Sequence, residues 1–203
     1  MSKAYVYTMK RDYGFAQNPF HGILTLATCK PGIRKGAQIG DYVIGHSDVH
    51  SGNKLIYMMK VTQVMTYDEY WNAEQFMCKR PIMNGSLVKL YGDNIYHHNQ
   101  DGIWVQEDSH HSLEDGTENA QNKNRDTKAD RVLISEDFFY LGRSMCTYPE
   151  GTGSLKYPHV GQKVFINNEV DTMWNYLSST YPEKGLIDDP MWFRNFQRYD
   201  GHS

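Results

Sequence analysis

GDYVIGHSDVHSGNKLIYMMKVTQVMTY, residues 40–67, decides how this chain is built. Gly40-Asp41 has turn chemistry and feeds an apolar run of strand length, Tyr42 to His46. A polar loop through Ser51-Gly52-Asn53 follows. The next run, LIYMMKVTQVMTY from Leu55, is rich in β-formers and free of Gly and Pro, as a hairpin partner must be. The centre of the chain therefore reads as strand, loop, strand.

Upstream, Ala4 to Thr8 reads as an opening strand that stops at Lys10-Arg11-Asp12. Asn18 to Gly22 reads as a turn and Ile23 to Thr28 as a short strand, with Pro31 soon after it. Downstream, Asp68 is placed to cap a short helix, DEYWNAEQF, that turns Tyr70, Trp71 and Phe76 toward the sheet. A second hairpin is predicted where Asn94 to His98 meets Ile103 to Gln106 across Asn99-Gln100-Asp101-Gly102. Neighbouring side chains on a strand face opposite ways, so His97 and His98 cannot share a face.

Residues 114–130, EDGTENAQNKNRDTKAD, are nearly free of apolar side chains and read as a lid, a binding loop or a disordered segment before the strand RVLIS (131–135). Gln162 to Ile166 reads as a last strand. Val170, Met173, Trp174 and Leu177 repeat at helical spacing after Asn167-Asn168, and Pro182 stops the run. Asp189-Pro190 predicts a final helix over MWFRNFQR. No βαβαβ alternation occurs, so a doubly wound nucleotide fold is excluded. The pattern predicts an α+β protein: a small mixed or antiparallel β-barrel flanked by helices, with 1–142 forming the barrel domain and 143–203 a helical extension packed on it.

The 203 residues suffice for one domain with a real core. Lys plus Arg is 21 and Asp plus Glu is 24, a net charge of −3, so no extended duplex-DNA surface is expected. Cys29, Cys78 and Cys146 are far apart and form no CxxC pair, which argues against a disulfide framework or a cysteine zinc site and for a reducing cytoplasm. The amino-terminal stretch has no apolar leader segment, and no run approaches a membrane span.

Chemistry concentrates in EDSHHSLEDG (107–116). Asp108, His110 and His111, with His97 or His98 from the hairpin, could hold a divalent metal, the one cofactor these residues allow. Their spacing matches no zinc motif, and none of them is assigned as a metal ligand. General acid–base work suits them better: His110 or His111 as base, with Glu107 or Asp108 orienting it. Nucleophilic catalysis finds no GxSxG elbow, and Cys29 has no placed base; after a strand it reads as a small buried residue. No glycine-rich phosphate cradle exists either. Single phosphates could be met by Lys30, Arg34 and Lys35 in one basic cluster, or by Arg125, Lys128 and Arg131 in another. Trp104 or Tyr96 could stack a base.

LATCKPGIRKGAQIGDYVIG (26–45), YGDNIYHH (91–98), WVQEDSHHSLEDG (104–116) and RDTKADRVLIS (125–135) together resemble the second of the nucleotide modification associated domain families. The likeness covers roughly residues 4–142 and leaves the tail from Arg143 as particular to this chain or its subgroup. The 40–64 hairpin also resembles the core of PUA, ASCH and EVE barrels, which bind RNA or modified bases at one mouth. The first resemblance implies a bacterial or phage protein linked by genomic context to DNA base modification and phage–host conflict. Matching its segments onto this chain picks out Lys30, Arg34, Asn94, His97, Trp104, Gln106, Ser109, Asp126, Thr127 and Arg131, which we read as ligand-binding; the resemblance itself assigns no roles. Glu107, Asp108, His110 and His111 are the candidates for catalysis.

The expectation is a nucleotide- or modified-base-binding protein, with enzymatic activity left open. In it Gln106, Asn94 and Asp108 read the base edge while Lys30, Arg34 or Arg131 meets phosphate. The alternative is a sponge or phosphodiesterase for a cyclic signalling nucleotide. The partners are then a nucleotide or nucleobase and, if the chain assembles, a second copy as a homodimer; a membrane is not among them.

Overall fold

The computed structural model describes residues 3–201. The 40–67 segment forms the predicted hairpin. A strand β1 (Ala4–Met9) precedes it; β2 (Leu24–Leu26) and a short helix α1 (Pro31–Gly36) lead into β3 (Tyr42–Ser47) and β4 (Leu55–Lys60). β5 (Gln63–Met65) continues the long apolar run, so that run is two strands rather than one. Then come α2 (Tyr67–Asn72), α3 (Leu87–Leu90), the hairpin β6 (Tyr96–His98) and β7 (Trp104–Gln106), α4 (Ala120–Asp126), β8 (Val132–Ser135) and β9 (Asp137–Tyr140). The tail adds β10 (Gln162–Phe165), α5 (Asn168–Thr180) and β11 (Gly185–Leu186).

Six strands make one mixed sheet in the order β10-β1-β3-β4-β9-β11, in which β1 and β3 run parallel and β3 and β4 antiparallel. β2, β8 and β5 make a second, antiparallel sheet, and β6 and β7 pair alone. Alternation along β1 shows how the layers stack. Tyr5, Tyr7 and Met9 join a core with Leu24, Leu26, Leu133 and Ile33, on the side of the second sheet. Ala4 and Val6 face the other way, onto Val170, Met173 and Leu177 of α5. Both faces of the large sheet are thus covered, which is why β3 and β4 read as continuous apolar runs instead of alternating ones. At Gly45 a Cβ would lie 2.3 Å from the Tyr57 ring and 2.4 Å from the Met9 sulfur, so only glycine fits where β3 is crossed by these side chains.

Several expectations change. The protein is α+β, but among the described residues no ring of hydrogen-bonded strands closes, and the sheets stack as open layers. The tail does not simply pack outside: β10 and β11 are the two edge strands of the main sheet. The 114–130 segment is not a structureless lid. Its α4 is capped by the Asn119 side chain, which accepts from the Gln121 and Asn122 amides. α2 starts at Tyr67 with a Thr66–Glu69 capping box, leaving Asp68 to bond His98. Residues 191–198 form a turn and irregular chain instead of a helix, tied to buried Asp12, whose carboxylate accepts from the Met191 amide and whose carbonyl accepts from the Trp192 amide. Among the described residues no helix is long and apolar enough to cross a membrane.

Candidate functional site

A cavity of about 620 Å³ opens at the carboxyl ends of the parallel pair β1 and β3. Tyr7 to Gln17, the Asp48–His50 turn, the 158–161 turn and Tyr199 wall it, and His110, His111, Cys29 and Lys30 form its floor. Lys10, Arg11 and Lys30 line it against a single carboxylate, Asp48, so it is basic inside an acidic chain. Tyr7, Tyr13, Phe15 and Tyr199 supply rings. Lys30 lies 4.4 Å from the Tyr7 ring centre, and the Gln17 amide donates to the Tyr7 hydroxyl.

The floor is built from three distant segments. Cys29 follows β2 and has φ of 55°, a left-handed conformation rare for a residue with a side chain. Two bonds hold it there: its amide donates to Asp126 Oδ1 at 2.9 Å, and Arg34 Nε donates to its carbonyl at 2.9 Å. Its sulfur lies 3.7 Å from His111 Nε2, and His111 Nδ1 lies 2.9 Å from Asp126 Oδ2. Asp126 also accepts from Tyr96 Oη at 3.0 Å and from Arg125 Nε at 3.1 Å, while a guanidinium nitrogen of Arg125 stands 3.8 Å from the Cys29 sulfur. Burial opposes a charged His111, yet its interactions with Cys29 and Asp126 outweigh it and raise its pKa to about 9. Burial likewise opposes the Asp126 carboxylate, but His111, Arg125 and Arg34 hold its pKa well below the usual carboxylate range.

His110 behaves differently from its neighbour. The two rings stack 5.6 Å apart because residues 108–112 form a turn, not the extended segment that would point them apart. His110 Nδ1 meets the Gln197 carbonyl and its ring sits among Tyr13, Phe15 and Tyr91. Burial and the charge on His111 push its pKa down to about 3, so it is neutral at any physiological pH. Of the two histidines, His111 is the one held charged, and His110 is a neutral part of the wall.

The remaining expected residues scatter. Arg34 is fully buried and donates to the carbonyls of Cys29, Asp126, Ala129 and Arg131; four of its five N–H groups staple backbone, and none of it lines the cavity. Arg131 does the same for the carbonyls of Arg34 and Ala37. Asn94 is buried on the carbonyls of Tyr70 and Phe76, and Thr127 back-bonds to the Lys123 carbonyl. Gln106 spans the Asn119 amide and Tyr96 Oη, bracing the floor from behind. Ser109 Oγ accepts from the His111 amide, and Asp108 pairs with Arg198. His97 and Glu107 pair on the hairpin, where His97 stacks on Trp71, and Trp104 packs against Tyr67 and His98. The cavity thus keeps Lys30, His110 and His111, with Asp126 behind them. It adds Gln17, Tyr7, Tyr13 and Tyr199, to which the sequence reading gave no role, and Cys29, which that reading took for a small buried residue.

The metal set of Asp108, His110, His111 and a hairpin histidine is not assembled. Cys29, His111 and Asp126 do place ligand atoms within 4.8 Å of one another. They fit an ion-pair relay better than a cation. Each Asp126 oxygen already accepts two hydrogen bonds, and a guanidinium occupies the space beside the sulfur.

Comparison with known proteins adds the family. No curated protein and no solved structure matches the chain. A family model described as nucleotide modification associated domain 2 matches residues 1–197. It runs through β10, α5 and β11, so the tail is part of the family's unit and not an addition particular to this chain. By that match the chain belongs to the nucleotide modification associated domain 2 family.

Proposed function

We propose that the β1/β3 cavity binds a nucleotide or modified nucleobase and that the protein acts on or delivers it in DNA base modification, in a bacterial or phage setting. One observation carries the reading: a ring-lined cavity of nucleotide size that is cationic in a chain of net negative charge. Its 620 Å³ falls inside the range of small-ligand sites, roughly 300–1,000 Å³. Tyr13 or Tyr199 takes the stacking role first given to Trp104, and Lys30 with Lys10 meets the anionic end. The position also suits a ligand, since open sheets with parallel strands bind outside the strands' carboxyl ends.

A phosphodiesterase working through paired histidines is disfavoured by this geometry, because neutral His110 is committed to the Gln197 carbonyl. Sequestration without chemistry would use the same cavity and differ only in turnover. The test is thermal unfolding against mononucleotides, modified pyrimidine nucleotides and cyclic dinucleotides. A ligand at a hundredfold its Kd should add about 2.7 kcal/mol of stability. If no member of the panel moves the transition, the binding reading fails.

A further inference from the structure

Cys29, His111 and Asp126 stand in series: sulfur to Nε2 at 3.7 Å, Nδ1 to carboxylate at 2.9 Å. Each link has its own support. The carboxylate is fully buried and hydrogen-bonded on both oxygens, so it fixes the ring's orientation and keeps Nε2 toward the sulfur. The sulfur is only partly buried and lines the cavity, so a substrate can reach it. The left-handed backbone at Cys29, pinned from both sides, holds the thiol at the floor. Nucleophile, base and orienting carboxylate within reach of one another and open to a cavity are the elements of thiol-dependent acyl transfer.

We propose that Cys29 is a catalytic nucleophile, His111 its proton carrier and Asp126 a positioning residue, in an acyl transfer acting on an amide or ester carbonyl presented in the cavity. In the resting pair His111 is the imidazolium and its Nε2 already holds the Cys29 proton; the thiolate attacks the carbonyl carbon. The tetrahedral adduct collapses with cleavage of the C–N or C–O bond, and His111 returns the proton to the departing nitrogen or oxygen. A thioester remains on Cys29. Water or an amine then attacks it, gives its proton to His111 and releases the acyl product, which restores the resting pair. No oxidant, reductant or metal is consumed. Lys30 and the Gln17 amide, both grouped on Tyr7, are the cavity donors that would receive the carbonyl oxygen's charge. That the acyl group is carried by a nucleotide rests on the binding reading above; the nucleophile itself does not.

The charged and titratable groups facing the pair are Arg125 and Asp126 from α4, Lys30, His110, and the phenols of Tyr7 and Tyr67. Burial keeps both phenols protonated and His110 neutral, so the positive groups beside the sulfur are Arg125 and His111.

The experiment reads all three cysteines of the intact chain by peptide mass spectrometry, with exposed Cys78 as the internal reference. Iodoacetamide should alkylate Cys29 at least about tenfold faster than Cys78 at pH 6. The Cys29 rate should stay nearly level between pH 6 and 8, where an ordinary thiol gains about tenfold per unit. p-Nitrophenyl acetate should acetylate Cys29 selectively, with acetyl release slowed in His111→Gln. A Cys29 rate that climbs in parallel with Cys78, or alkylation without selective acetylation, overturns the acyl-transfer proposal. Should His111→Gln not fold, the wild-type pH profile and acetylation decide alone. Neither probe is a nucleotide, so a nucleotide panel without a hit would remove the binding reading and leave this result standing.

Discussion

The His111–Asp126 pair under the cavity and the His97–Glu107 pair on the β6/β7 hairpin are both 2.9 Å apart. Their settings differ. His111 and Asp126 are 1% and 0% exposed, whereas His97 and Glu107 are 15% and 41% exposed. Water screens the second pair and substitutes for either partner when the other is lost. The first pair has no such substitute, and its charges set each other's protonation and bear on Cys29. Two histidine–carboxylate pairs of the same length thus sit in opposite settings, one closed off beneath the cavity and the other a surface contact. Burial and a third partner make the difference, not composition.

The largest effect should come from breaking the buried side. Asp126→Ala removes the acceptor for the Cys29 amide, Tyr96 Oη, His111 Nδ1 and Arg125 Nε at once. It should cost about 3–5 kcal/mol in urea unfolding, the range for orphaning a buried charge. A loss under about 1 kcal/mol would show that the network carries little of the fold.

A pH dependence should follow, with a sign fixed by the raised His111 pKa. The stabilisation from charged His111 is complete below its unfolded pKa of about 6.5 and is lost as pH rises through about 9. Buried Lys79, held at about 8 mainly by desolvation, contributes with the opposite sign from about pH 8 upward. The difference between wild type and His111→Gln isolates the histidine. The wild-type advantage should shrink steadily from pH 6.5 to 9, and an advantage that is constant or grows would contradict the assignment. The smallest effect belongs to the hairpin: Glu107→Gln should change stability by less than about 1 kcal/mol and respond to salt.

Much of the scaffold was legible from the chain. The 40–60 hairpin, the β6/β7 hairpin with its Asn99–Gly102 turn, and α5 announce themselves through apolar runs, turn residues and helical spacing. α4 did not, because its buried residues are Asn122 and Asp126; a helix that buries polar groups leaves no hydrophobic stripe to find. Asn119, three residues before a buried acceptor network, was the available signal. Arg34 and Arg131 read as phosphate ligands from charge alone, whereas a buried guanidinium can also satisfy the carbonyls of irregular backbone, and here both do. Cys29 lacked a base in sequence because His111 lies 82 positions away and Asp126 lies 97 away. No local pattern encodes a triad assembled by sheet packing. The Cys-Lys-Pro step from strand β2 into α1 was the one local hint that Cys29 sits at a junction.

In the proposed site the cavity histidine, and not the hairpin one, governs the reactivity of Cys29. The most direct measurement is the alkylation rate of Cys29 at pH 6 in His111→Gln and in His97→Gln, the same substitution made in both regions. A loss of at least about tenfold is expected in the first variant and an unchanged rate in the second. Equal rates in wild type and both variants would contradict it.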